Sequence, residues 1–313
     1  MTDFVSIVEV GPRDGLQNEA VAVPVEVRAA LITQLANAGL RRIEVGSFVS
    51  PRRVPQMAAT GDLVRSLPEI SGVAYSVLVP NEQGAREAIE TKIHEVAVFA
   101  SASETFSQRN INCSISESIE RFRPVIALAA ERAIPVRGYV SCVLGCPYEG
   151  RVAPSGVVDV ARRLVDLGCH EISLGDTIGI GTPGEARRMV EAVAAELPIS
   201  MLAVHFHDTR GQALANILAC LELGVRTVDS SVAGLGGCPY APGASGNVAT
   251  EDLVYMLDGL GLTTGVDLRS VAAAGAFISN HLGRPTSSKV AQAIAAEVSW
   301  PLVSKALLPS QSI

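Results

Sequence analysis

Eight short apolar runs, each followed by a stretch of helical periodicity, recur along most of this chain. That alternation limits the fold more than any single motif. The runs cover 5–10, 41–45, 72–77, 95–99, 136–141, 171–174, 202–207 and 227–232. Strands separated by helices do not pair as hairpins, because each crossover returns the next strand parallel to the last. Eight such units predict an α/β fold, the closed (β/α)8 TIM barrel, over about residues 4–264. Additional C-terminal helices follow over about 265–313, and the whole of 1–313 is read as a single catalytic domain. A doubly wound open sheet is the alternative, but no G-x-G-x-x-G follows the first strand.

The junctions support the barrel. Leu35-Ala-Asn-Ala-Gly39 precedes Ile43, Leu164-Val-Asp-Leu-Gly168 precedes Ile172, and Cys220-Leu-Glu-Leu-Gly224 precedes Val228. Each places glycine where a helix must turn left-handed, with a β-branched residue four positions on. Thr182-Pro-Gly-Glu185 reads as a capping box with proline at the first helical position, and Ser114-Ile-Ser-Glu117 can cap a helix to about residue 131. Asp267 can cap a helix through Leu282 that stops at Gly283, and another amphipathic piece begins at Ser288. Beyond it, Trp300, Leu302, Leu307 and Leu308 show no clear periodicity, and packing on the barrel, a subunit contact and fraying all stay open.

Composition bounds the function. With 48% hydrophobic and 18% charged residues, the chain can bury a large core. A net charge of −7 without a basic block argues against nucleic acid, and no apolar run approaches the ~20 residues of a membrane span. The first strand-like run starts by Phe4, leaving no room for a signal or transit peptide. Six scattered cysteines lack a disulfide-framework spacing, and Cys142 and Cys146 have no partner cysteines for a structural zinc site. The cytoplasm is the expected location, and a homodimer the expected assembly.

Chemistry is sought where such a barrel keeps it, at the C-terminal ends of the strands. The seventh strand ends in His205 and His207, whose i, i+2 spacing puts both imidazoles on one face and Val204 and Phe206 on the other. Gly11-Pro-Arg13-Asp14-Gly-Leu-Gln17 follows the first strand, Glu44 and Ser47 the second, and Asp176-Thr177 the sixth. The eighth leads into a Gly- and Pro-rich loop, 234–247, containing Cys238 and ending at Asn247. Singly, each has an ordinary reading: a surface turn for Arg13-Asp14, a partner for Arg41 or Arg42 in Glu44, a cap in Asp176, an inert thiol in Cys238. Their gathering at one rim favours a site. Two imidazoles, the Asp14 carboxylate and the Asn247 amide oxygen would leave two positions of an octahedron open, a set suited to Mg²⁺ or Mn²⁺. Open positions fit a substrate that chelates through a hydroxyl and a carboxylate or carbonyl. A nearby arginine suits an enolate oxygen, which points to carbon–carbon chemistry next to a carbonyl.

Four stretches carry a resemblance: V-E-V-G-P-R-D-G-L-Q-N-E (8–19), S-L-G-D-T-I-G-I-G-T-P (173–183), H-F-H-D-T (205–209) and G-L-G-G-C-P-Y-A-P-G-A-S-G-N-V-A-T-E-D (234–252). With N-I-N-C-S (110–114) and T-S-S-K-V-A-Q-A (286–293), the chain resembles the 3-hydroxy-3-methylglutaryl-CoA lyase family over nearly its whole length. The resemblance implies retro-Claisen cleavage of (S)-3-hydroxy-3-methylglutaryl-CoA to acetoacetate and acetyl-CoA with a divalent cation, a step of leucine degradation and ketone-body formation. It implies Asp14, His205, His207 and Asn247 as metal ligands, and Arg13 at the thioester carbonyl with Gln17 also binding substrate. Cys238 matches the reactive-loop cysteine, with His205 able to share its acid–base work, and Glu44 and Asp176 match the acidic residues of the site. Isopropylmalate- and homocitrate-type synthases share the Arg-Asp-Gly turn, the histidine pair and the asparagine but not the cysteine loop. Lyases for longer-chain 3-hydroxyglutaryl-CoA analogues remain an alternative. The chain ends Leu308-Pro-Ser-Gln-Ser-Ile313, without the C-terminal cysteine that animal members use between subunits.

Overall fold

The computed structural model describes residues 3–237 and 246–299, so Cys238, Trp300, Leu302, Leu307 and Leu308 lie outside the described residues. Eight parallel strands close into a barrel in sequence order. They are β1 (Ser6–Glu9), β2 (Arg42–Ser47), β3 (Ala74–Leu78), β4 (Glu95–Ser101), β5 (Val136–Ser141), β6 (Glu171–Asp176), β7 (Leu202–Phe206) and β8 (Thr227–Ser230). Every expected run overlaps one of them. The ring closes where β1 pairs with β8, with Val8 opposite Asp229.

Burial on both faces explains why the strands read as apolar runs. Val204 and Phe206 of β7 point outward into the layer between sheet and helices, fully buried with Ile172, Leu174 and Ile217. Each such side chain contributes about 1.5–3 kcal/mol over exposure. The helix starts follow the expected chemistry. Ser114 and Glu117 bond reciprocally at the start of Ile115–Glu131, as do Thr182 and Glu185 at Pro183–Ala194. Gly39, Gly168 and Gly224 all have positive φ, as the helix-to-strand turns require.

Helices Leu268–Leu282 and Lys289–Ser299 follow the barrel, the first capped by Asp267 and stopped at Gly283 with φ +66°. Leu268–Leu282 packs against helix Val25–Asn37 and against the turn Val232–Gly234 that follows β8. Among the described residues no helix is long and apolar enough to cross a membrane.

The expected strand ends need two adjustments. Glu44 and Ser47 lie within β2 rather than beyond it, and Asp176 is the last residue of β6. A register shift between Glu44 and Gly46 accompanies the longer β2. Such an irregularity re-aims the strand's side chains near its C-terminal end.

Candidate active site

Arg13 and Asp14 sit together on one wide helical turn, Gly11–Gly15, closed by a bond from the Gly15 N–H to the Val10 carbonyl at 3.2 Å. This i→i−5 turn is rare and tends to occur at functional sites. Its floor is the buried Glu9 carboxylate, which accepts from the Gly11 N–H at 2.8 Å, the Val232 N–H at 2.9 Å and the Thr250 hydroxyl at 2.6 Å. A Cβ at Gly11 would lie 2.6 Å from that carboxylate, so only glycine lets the turn approach it.

The Arg13 guanidinium is buried and aimed by two carboxylates, Nε donating to Glu44 at 2.5 Å and Nη1 to Asp14 at 2.6 Å. Its Cζ lies 5.6 Å from the Tyr139 ring centroid, within cation–π range. Burial alone would lower its proton affinity, but the charges of Glu44 and Asp14 outweigh that and hold it protonated. Burial pushes Glu44 up while Arg13 pulls it down. Because a guanidinium does not give up its proton, we read the pair as ionic. Glu44 is therefore the partner of Arg13; Arg42 instead bonds Glu171 and Glu95.

Asp14, His205 and His207 come together, each offering one atom within 4.8 Å of the others. His205 Nε2 faces the Asp14 carboxylate at 3.9 Å, and the two imidazole centroids are 5.5 Å apart. Burial works against the Asp14 charge, yet Arg13, the histidines and Asn247 bring the carboxyl down to about 2. Burial pushes His207 down to about 4, leaving a neutral imidazole able to donate a lone pair. Its buried Nδ1 has no hydrogen-bond partner among the described residues. Asn247 arrives from the far side of the barrel sequence, its backbone bridged to His207 and its Nδ2 donating to Asp14 at 2.9 Å. One carboxylate, two imidazoles and an amide in a half-buried pocket fit a divalent cation.

The remaining expected residues are Asp176, Gln17 and Cys238. Both Asp176 oxygens accept backbone N–H groups of the following turn, Ile180 at 3.2 Å and Gly181 at 2.8 Å, so this carboxylate braces the β6 loop. Gln17 is half-buried just past the Arg13 turn. Cys238 lies outside the described residues, but the two stems of its loop meet at the site. A Cβ on Gly246 would lie 2.6 Å from the Gly236 carbonyl carbon, and one on Gly236, whose φ is +125°, 2.9 Å from Asn247 Nδ2.

Four further residues were missed in the sequence. Asp229 bonds His205 Nδ1 at 3.2 Å, Arg137 grips Asp229, Tyr139 packs edge-on to the His205 ring, and Glu9 supports the Arg13 turn. For Arg137 and Asp229 a charged residue inside a parallel strand was the available signal, since a strand covered on both faces leaves it only the barrel interior.

A family model described as HMGL-like matches residues 4–278. The chain belongs to the HMGL-like family. A cytoplasmic 3-hydroxy-3-methylglutaryl-CoA lyase of Mus musculus is 59% identical over 293 residues, covering 94% of this chain and 85% of that protein. The crystal structure of a hydroxymethylglutaryl-CoA lyase from Pseudomonas aeruginosa superposes with a TM-score of 0.93 at 55% identity, covering 95% of this chain and 99% of that one. A family structure from Acinetobacter baumannii, described as an HMG-CoA lyase in complex with coenzyme A and 3-methylmalate, has a TM-score of 0.89 at 37% identity, covering 93% of this chain and 95% of that one.

Proposed function

We propose that this chain is a hydroxymethylglutaryl-CoA lyase, cleaving 3-hydroxy-3-methylglutaryl-CoA to acetoacetate and acetyl-CoA with a divalent cation, Mg²⁺ or Mn²⁺. One observation carries the reading: a single turn presents Arg13 and Asp14 side by side, next to two imidazoles. A cation for the thioester oxygen and a cation site for the other end of the substrate are thereby fixed within one side chain of each other. Family membership and the coenzyme A bound to the Acinetobacter relative support an acyl-CoA substrate.

Asp14, His205, His207 and Asn247 would hold the metal, which when bound supplies a Lewis acid for the substrate's hydroxyl and carboxylate oxygens. The chain's own groups do the rest. Breaking the C2–C3 bond moves an electron pair toward the thioester carbonyl, and Arg13 donates hydrogen bonds to the oxygen that gains this charge. Glu44 and Asp14 occupy Nε and Nη1, leaving Nη2 toward that oxygen without reorganisation.

The resulting enolate carbon needs a proton. A thiol's usual pKa is about 8.5, so at neutral pH Cys238 is mostly protonated and able to give it. The 3-hydroxyl proton leaves as the bond breaks, while Cys238 still holds its own, so a base at the site takes it first and passes it to the thiolate once the enolate has been protonated. His205 has Nδ1 against Asp229 and, as a ligand, would commit Nε2 to the cation. We therefore keep His205 as a ligand and give the proton transfer to Cys238, with Gln17 left to substrate contact and Asp176 to bracing its loop.

Mass-spectrometric product analysis with a panel of 3-substituted 3-hydroxyglutaryl-CoA thioesters tests the reading. Acetoacetate and acetyl-CoA from the 3-methyl compound are expected. Cleavage confined to longer 3-substituents would reassign the substrate. Free CoA from acetyl-CoA plus 2-oxoisovalerate or 2-oxoglutarate, without any cleavage, would make the chain a synthase. The same proposal treats the chain as one catalytic domain, a homodimer located in the cytoplasm. Light scattering and cell fractionation test the last two parts, and the cytoplasmic mouse relative supports the location.

A further inference from the structure

Behind His205 the barrel interior holds an ion network that the reaction does not use directly. Asp229 of β8 is the register partner of His205 in β7, so both side chains enter the lumen at the same level. The Asp229 carboxylate is fully enclosed, and its described partners besides the imidazole all donate to it. Arg137 donates from Nη2 to Oδ1 at 2.7 Å and from Nη1 to Oδ2 at 3.0 Å, and the Ser173 hydroxyl donates to Oδ2 at 2.9 Å. His205 Nδ1 lies 3.2 Å from the same Oδ2. Arg137 is itself anchored, donating from Nε to Glu171 at 2.6 Å and from Nη1 to the Tyr139 hydroxyl at 2.9 Å. Tyr139 then meets the His205 ring edge-on at 82°, limiting its rotation.

A carboxylate among donors only accepts hydrogen bonds. The imidazole nitrogen facing it must therefore carry the ring proton, which leaves the lone pair on Nε2, the atom turned toward Asp14. We propose that Asp229, clamped by Arg137, is a positioning residue for the cation site, fixing both the tautomer and the ring orientation of His205. The inference rests on the assignment of His205 as a ligand. Partners of this kind raise ligand basicity, and their loss typically weakens metal binding about 10- to 100-fold.

The test uses full-length protein stripped with chelator and titrated with Mn²⁺, free ion being followed by electron paramagnetic resonance. Nitrogen-15 spectra of histidine-labelled, metal-free protein report the ring tautomers. In the unmutated protein His205 should carry its proton on Nδ1. Asp229→Asn should weaken Mn²⁺ binding about 10- to 100-fold and redistribute the His205 proton. The double change Arg137→Gln with Asp229→Asn removes both charges, so no ion is left unpaired, and it should behave alike. His205→Ala should lose at least as much affinity. A proton on Nε2 in the unmutated protein overturns the proposal whether or not any variant folds. Unchanged affinity and tautomer in folded Asp229→Asn, beside lost affinity in His205→Ala, overturns it alone. Unchanged affinity in His205→Ala overturns the ligand assignment and the proposal with it.

Discussion

Replacing Glu251 by Gln should remove much of the stability this protein loses between about pH 5 and about pH 8. Glu251 is fully buried at the start of helix Thr250–Gly259, where both carboxyl oxygens lie 3.0 Å from the Ala233 N–H. Burial pushes it from the usual 4.5 to about 8, with the nearby Glu9 charge adding to the rise. Glu9, buried beneath the Arg13 turn, goes up to about 7 for the same first reason. The folded protein thus holds these protons more tightly than the unfolded chain. Their stabilisation is complete below the unfolded value and is lost as pH climbs through the folded one. For Glu251 the loss runs at about 1.4 kcal/mol per pH unit, or on the order of 4 kcal/mol between about pH 5 and about pH 8. Glutamine keeps the shape and an acceptor for Ala233 but cannot ionise. Guanidinium unfolding curves at matched pH values give the free energies, with an unchanged m-value as the check on a common unfolded state. The pH 5-to-8 loss in Glu251→Gln should be smaller than in the unmutated protein by about 3–4 kcal/mol. Parallel pH profiles for the two proteins would refute the reasoning, since every other titrating group is shared between them.

Arg13→Gln should lower kcat on the order of 10³-fold, the cost of removing an oxyanion donor, while the fold measured by circular dichroism is kept; full turnover would remove its proposed role. Cys238→Ser should bind Mn²⁺ normally yet lose most turnover, because a hydroxyl is a far weaker acid than a thiol. Substrate should protect Cys238 from alkylation, and persistent activity after complete labelling would reduce its loop to a cover. Gly15→Ala should destabilise by about 1–3 kcal/mol, read as a lower Tm. Its Cβ would stand 2.7 Å from Leu235 Cβ and 2.9 Å from the Ser231 hydroxyl, and an unchanged Tm would show that the turn yields freely.

The strands were legible because helices cover the barrel and make each run apolar, and the caps because their bonds are local. Thr182 with Glu185 and Asp267 with Ser270 need nothing from the rest of the chain. Arg13, Asp14, His205, His207 and Asn247 were found because the barrel rule says where strand ends converge. Asp229 and Arg137 were not, because their partner lies on another strand, 92 residues away in sequence. Val136-Arg-Gly-Tyr-Val140 did carry a trace, with Arg137 and Tyr139 sharing the face that Val136 and Val140 do not. No local sequence pattern marks Glu9 and Glu251 as buried; the packing of Gly11 and Gly275 against their carboxylates reveals it. The role of Asp176 was legible as position but not as orientation, since its partners are the N–H groups of its own turn.

The ion network has a consequence for traffic. Arg42 of β2 reaches across the lumen to Glu171 of β6 and Glu95 of β4, and Arg137 of β5 ties Glu171 to Asp229. These braces form a floor that blocks the barrel axis below the histidines. A thioester therefore enters and both products leave through the same mouth, the one rimmed by the Arg13 turn and the stems of the β8 loop.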